Sequence, residues 1–176
     1  MILYFSGTGN SRYVAKSIGK IIGDDVVSMN ELIKSGQKEA LSSDKPYVFV
    51  CPVYAWRIPR VVERFICDTR LDGSRKAYFV LTCGGQAGNA VRYAEQTCRE
   101  KGLDFLGLAS IVMPENYIAM FKVPDVREAD AIIKKAGPRI LETARLIKEE
   151  MPLRPEKKTG RLISGPVNTI FYKLFV

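Results

Sequence analysis

The strongest constraint on the fold lies in the first 22 residues. Ile2 to Phe5 is a continuous apolar run, Ser6-Gly7-Thr8-Gly9-Asn10-Ser11 is a glycine-rich turn, and Val14, Ile18, Ile21 and Ile22 then recur at helical spacing. Strand, tight turn and helix in that order start a βαβ unit, and the alternation continues. Val26 to Met29 reads as a weak second strand and Asn30 to Lys34 as at most a short helix. Tyr47 to Cys51, between Pro46 and Pro52, reads as a buried parallel strand. Ile58, Val61, Val62, Phe65 and Ile66 mark a helix with Pro59 in its first turn. Ala77 to Thr82 is a fourth strand that runs into Gly84-Gly85. Ala90, Val91, Ala94 and Cys98 give a helix closed by Gly102, and Phe105 to Met113 is a fifth strand. Ala129 to Ile147 is a long amphipathic helix in which Gly137-Pro138 predicts a kink or a break. Five strands alternating with helices predict an α/β fold, an open parallel sheet with helices on both faces, over residues 1–150. Residues 151–176, with Pro152, Pro155, Lys157, Lys158, Gly160, Gly165 and Pro166 before an apolar Ile170 to Val176, read as a basic connector and a C-terminal docking segment.

Composition narrows the chemistry. Among 176 residues there is no histidine, which removes Ser-His-Asp and Cys-His catalysis and the commonest ligand of zinc, copper and haem. The cysteines stand at 51, 67, 83 and 98 without a Cys-x-x-Cys pair, so they read as buried reduced thiols rather than as a zinc ribbon or a cluster site. Net charge is +8, with five basic residues against one acidic in 151–176. No Lys/Arg stripe is interleaved with aromatics, so nucleic acid ranks last among the partners of a basic chain. The strongest apolar run, Tyr47 to Trp56, is far short of the roughly 20 residues that span a bilayer. The first residues carry no secretory pattern, and a cytoplasmic location is expected.

A glycine-rich turn between strand and helix is where free backbone N–H groups and the positive end of the helix dipole meet an anion. A nucleoside triphosphate loop needs a G-x-x-x-x-G-K-[ST] pattern that is missing here, and Arg12 stands where a dinucleotide fingerprint needs its third glycine. The hydroxyls of Ser6, Thr8 and Ser11 and the amide of Asn10, spaced by Gly7 and Gly9, suit the terminal oxygens of a phosphate monoester. The plainer alternative is a Gly-Ser turn that only caps the first helix.

The strand followed by Ser6-Gly7-Thr8-Gly9-Asn10-Ser11 resembles the signature with which flavodoxins hold the phosphate of FMN. That resemblance implies a doubly wound five-stranded parallel sheet of order 2-1-3-4-5. It also implies a flavin ring between the loops after the third and fourth strands. Here these are Pro52, Val53, Tyr54, Ala55 and Trp56, continuing to Pro59, and Cys83, Gly84, Gly85 and Gly88. Tyr54 and Trp56 would be covered by stacking on a flat ligand; ordinary packing under the loop is the other reading of each. The second loop has no aromatic, so one face of the ring is expected to be open. The chain further resembles the flavodoxin domain of flavodoxin-ferredoxin fusion proteins through Pro52-Val53-Tyr54-Ala55-Trp56, Met113-Pro114-Glu115-Asn116-Tyr117 and Phe171 to Val176, while the ferredoxin half has no counterpart in this sequence. The resemblance implies an FMN-binding electron carrier that exchanges electrons with a redox protein partner, ferredoxin-like and acidic. An FMN-dependent NAD(P)H:quinone-type reductase and a cofactor-free binding module are the alternatives. Arg57, with Arg60 and Arg64, is expected to bring positive charge to the ring.

Overall fold

The structure, a computed structural model, describes residues 1–36, 39–117 and 122–154. Its elements in chain order are β1 (Ile2–Tyr4), α1 (Asn10–Ile22), β2 (Val26–Ser28), α2 (Met29–Ser35), β3 (Leu41–Ser43), β4 (Tyr47–Pro52), α3 (Arg60–Asp68), β5 (Leu71–Gly73), β6 (Lys76–Cys83), α4 (Ala90–Lys101), β7 (Asp104–Val112) and α5 (Val126–Lys148). Five strands form one parallel sheet in the order β2-β1-β4-β6-β7, which is 2-1-3-4-5 when only the strands of that sheet are counted. The strands β3 and β5 pair with each other in a separate two-stranded sheet. The Tyr47 hydroxyl lies between the carbonyls of Leu41 (2.7 Å) and Asp72 (2.6 Å), tying that small sheet to the start of β4.

Successive strand residues point to opposite sides of a sheet, and the buried apolar residues divide accordingly. Leu3, Tyr47, Phe49, Cys51, Phe79 and Leu81 share one cluster with Val62 and Ile66 of α3 and Ala90, Ala94 and Cys98 of α4. Ile2, Val48, Val50, Tyr78, Val80 and Ile111 share the other with Val14 and Ile18 of α1 and Ala136, Ile140, Ala144 and Ile147 of α5. Strands buried on both sides account for the unbroken apolar runs in the sequence.

The break expected at Gly137-Pro138 does not occur. The helix α5 is continuous from Val126 to Lys148 through Gly137-Pro138. Pro138 and Lys134 are both exposed, so the carbonyl that loses its N–H partner to the proline is reached by water. A capping box between Asp125 and Glu128 fixes the start of this helix. No helix among the described residues is long and apolar enough to cross a membrane. Of the expected connector and docking segment 151–176, residues 155–176 lie outside the described residues.

Burial sets the response to alkali. The Cys98 thiol is pushed up to about 12 by burial, then by Asp104 and Glu95. The Tyr78 hydroxyl is pushed up to about 12 by burial and then by Glu150, and burial also raises Cys51 strongly, with Glu63 adding to it. Each group is raised above its unfolded value, so its contribution is complete below that value and is lost as pH rises through the folded one. With no histidine to titrate near neutrality, the urea midpoint under reducing conditions should stay level from pH 6 to about 8.5, then fall from about pH 9 upward. A midpoint already falling between pH 7 and 8 would contradict this assignment.

Candidate functional site

Four loops leave the carboxyl ends of β1, β4, β6 and β7 and meet above the sheet. The chain after β1 is fixed by hydrogen bonds from Phe5 N to Val50 O (2.9 Å) and from Ser6 N to Asn30 Oδ1 (2.9 Å). The turn then closes on itself, with Gly9 N donating to Ser6 Oγ at 3.0 Å. Gly9 is the N-cap of α1 at φ 109°, a conformation open to glycine and strained for other residues. Tyr13 N is the first to reach back, to Gly9 O at 2.9 Å, so the N–H groups of Asn10, Ser11 and Arg12 find no acceptor inside the helix. No acidic residue stands in that first turn. Backbone donors are therefore gathered at the positive end of a 13-residue helix.

The side chains of this loop have separate tasks. Ser6 holds the turn. The Ser11 hydroxyl is buried and shares a 2.8 Å hydrogen bond with Thr82 Oγ1, locking α1 onto β6. Asn10 Nδ2 donates to Pro114 O at 2.9 Å, and the exposed Thr8 hydroxyl accepts from Asn116 Nδ2. Gly7 faces Tyr54, whose hydroxyl would lie 3.9 Å from a Cβ at that position.

The second loop follows Val53, whose N–H bonds Thr82 O at 2.9 Å. Tyr54 and Arg57 exchange two backbone hydrogen bonds, of 2.9 and 3.1 Å, and between them Ala55 and Trp56 both have positive φ, 47° and 60°. That is a tight turn of the I′ kind built without glycine or asparagine, and an indole in the left-handed region costs about 1–2 kcal/mol. Trp56 and Tyr54 are each more than one third exposed. Burial, then Cys51, raises the Tyr54 hydroxyl, keeping it protonated and able to donate.

Gly88 brings the third loop under Trp56, because a Cβ there would lie 2.8 Å from the indole Cγ and 2.9 Å from its Cβ. Gly84 lies under the Glu115 carboxylate, and Gly85 has open space where a side chain would stand. Cys83 holds the fourth loop, accepting at its carbonyl from Met113 N at 2.9 Å. In that fourth loop the Glu115 carboxylate accepts the N–H groups of Asn116 (2.9 Å) and Tyr117 (3.0 Å). Pro114, Glu115 and Asn116 thus join the phosphate-type turn to Gly84. Their signal in the sequence was a polar stretch directly after an apolar strand, at the strand end where α/β proteins place their sites.

The expected role of Arg57 is corrected. Its guanidinium donates to both carboxylate oxygens of Glu63 at 2.9 Å and lies 4.2 Å from the centre of the Tyr93 ring. Both side chains of the pair are about four-fifths covered, and the charge is balanced by Glu63 inside the α3 and α4 packing.

A family model described as a flavodoxin domain matches residues 1–116. The chain belongs to the flavodoxin domain family. No curated protein matches it. Among solved structures it is similar to the two-electron reduced flavodoxin of Megasphaera elsdenii, at 21% identity over 78% of this chain and 99% of that one, with a TM-score of 0.45. It is similar to a flavodoxin from the domain Archaea at 16% identity, covering 82% of this chain and 96% of that one with a TM-score of 0.46. An azoreductase of Bacillus anthracis is similar at 15% identity, over 81% and 97% of the two chains, with a TM-score of 0.46.

Proposed function

We propose that this flavodoxin-family chain binds FMN and passes electrons to or from a redox protein partner, ferredoxin-like in character. The observation that carries the reading is the meeting of the α1 N-terminus with two exposed aromatic side chains, Tyr54 and Trp56, at the carboxyl edge of one parallel sheet. A phosphate monoester fits the first part: three backbone N–H groups lack an acceptor in the helix, the turn has no carboxylate, and Thr8 offers an exposed hydroxyl. A flat aromatic ring fits the second, lying between the 53–56 turn and Gly84-Gly85. In this reading Ser6 and Ser11 shape the phosphate turn from behind, while Gly7, Thr8, Gly9 and Asn10 face the anion through backbone and side chain. Pro52, Val53, Ala55, Cys83 and Gly88 hold the two loops at the ring. The flavin, when bound, supplies reversible one- and two-electron chemistry. The protein binds it, orients its edge outward and keeps charged side chains such as Arg57 paired elsewhere. We read residues 1–150 as the FMN-binding domain, with helices on both faces of the sheet, and 151–176 as the connector.

The decisive experiment is a titration with FMN and with riboflavin, followed by Trp56 fluorescence. FMN should quench the indole strongly and bind at least about thirtyfold tighter, since even one charge-assisted bond to the phosphate is worth about 2 kcal/mol. Equal affinities would remove the phosphate assignment. An unquenched Trp56 at saturation would remove the stacking.

A further inference from the structure

A left-handed backbone at a residue other than glycine persists only where the surroundings over-determine it. Among the described residues three non-glycine positions have positive φ, and two of them, Ala55 and Trp56, are neighbours at the candidate site. Turns of the I′ kind favour asparagine and glycine at their two central positions, and this one has neither. Its shape must be held from outside. Arg57, the last residue of the turn, is the one placed to do so. Its main chain exchanges two hydrogen bonds with Tyr54, of 2.9 and 3.1 Å. Its guanidinium donates at 2.9 Å to both carboxylate oxygens of Glu63, in the first turn of α3, and lies 4.2 Å from the centre of the Tyr93 ring on α4. One residue thus ties the turn to two helices. Beside it, Trp56 lies against Gly88, where an added Cβ would stand 2.8 Å from the indole Cγ. The second loop is therefore fastened at two points, to the third loop and to the helix that follows it.

We propose that Arg57 is a positioning residue which, with Glu63 and Tyr93, holds the turn from Tyr54 to Arg57 in its left-handed shape and so sets Trp56 as one wall of a slot for a flat aromatic ring. The ring rests on the FMN reading; the hold on the turn does not. Stability alone gives no reason for such a pair. Both side chains are about four-fifths covered, and a covered ion pair is often no more stabilising than apolar residues of similar volume. What the pair adds is direction. Charge, ring face and main chain together admit one orientation of Arg57, and through it one shape of the turn, which apolar side chains would leave loose. Arg57 acts through the backbone it shares with Trp56, and its charge stays with Glu63.

The test replaces the pair in the full chain by Arg57→Met with Glu63→Leu, which roughly keeps the volume and removes both charges. The urea midpoint should stay near that of the parent. The Trp56 indole should become more accessible to acrylamide, and its near-ultraviolet signal should shrink. FMN and riboflavin should each bind about tenfold more weakly with the ratio of their affinities unchanged, because the loss is at the ring and not at the phosphate. Adding Ala55→Asn, a residue that tolerates the left-handed region, should restore most of the indole signal and of both affinities, since a relaxed turn no longer needs holding. Arg57→Lys keeps a charge beside Glu63 but lacks the planar group that lies on Tyr93, and it should show the same changes to a smaller extent even if the double variant does not fold. A parent-like indole signal in these variants would overturn the proposal, as would failure of Ala55→Asn to restore it. A parent chain that binds neither flavin would remove the ring reading, while the indole signal would still decide whether Arg57 holds the turn.

Discussion

Gly107→Ala should lose roughly 3 kcal/mol of stability. Gly107 sits within β7 at φ 125°, where the register between β6 and β7 shifts between Ala77 and Phe79. An added Cβ would lie 2.8 Å from Leu153 N and 2.9 Å from its carbonyl carbon. Those are main-chain atoms, held by Leu153 N donating to Leu106 O at 2.9 Å, and they cannot rotate away as a side chain could. Backbone strain and overpacking each contribute about 1–3 kcal/mol. A urea midpoint within experimental scatter of the parent would show that the segment at Leu153 does not hold this position in solution.

Gly88→Val should act on the site and on the fold together. Gly88 has φ 55°, and its Cα faces the Trp56 indole at a distance that leaves no room for a side chain. A β-branched residue there resists the left-handed region, at about 1–2 kcal/mol, and pushes Trp56 out of its turn. The paired bonds between Tyr54 and Arg57 hold Trp56 in that turn at positive φ. The expected outcome is a loss of about 2–3 kcal/mol in stability, an altered near-ultraviolet signal from the single tryptophan, and FMN affinity reduced by an order of magnitude or more. An unchanged indole signal would place Trp56 away from Gly88.

The strands β1, β4, β6 and β7 could be read from the sequence because each lies in an apolar run bounded by proline, glycine or a change of period, whereas the three-residue β2 left only a weak signal. The strands β3 and β5 could not. Leu41-Ser42-Ser43 and Leu71-Asp72-Gly73 have neither alternation nor length. They exist because the intervening chain brings them side by side and Tyr47 anchors both. The phosphate-type turn was visible for the reason the sheet was, since its glycines and hydroxyls mark a local change of backbone. What the sequence did not reveal was the division of labour within it. That Ser11 faces Thr82 and Asn10 faces Pro114 depends on residues 71 and 104 positions away. Arg57 illustrates the same limit. Beside Trp56 in sequence it read as a charge at the ring, yet Glu63, six residues on, and Tyr93 of a neighbouring helix decide where it points. Short-range pattern gave the frame and the place of the site; long-range pairing assigned the side chains.

The segment at Leu153 has a consequence for how this molecule behaves among copies of itself. Among the described residues β6 is the one strand paired along β7, and at nine residues β7 would otherwise present a long row of unbonded carbonyls and amides to any passing strand. The opposite border of the sheet is β2, three residues long and too short to template much. On β7 the chain protects itself differently: Leu153 turns its main chain alongside Gly107 in a parallel bridge, with its buried side chain packed into the sheet cluster. Resistance to edge-to-edge association is thereby vested in a few residues just beyond α5, and in a glycine that lets them come close enough.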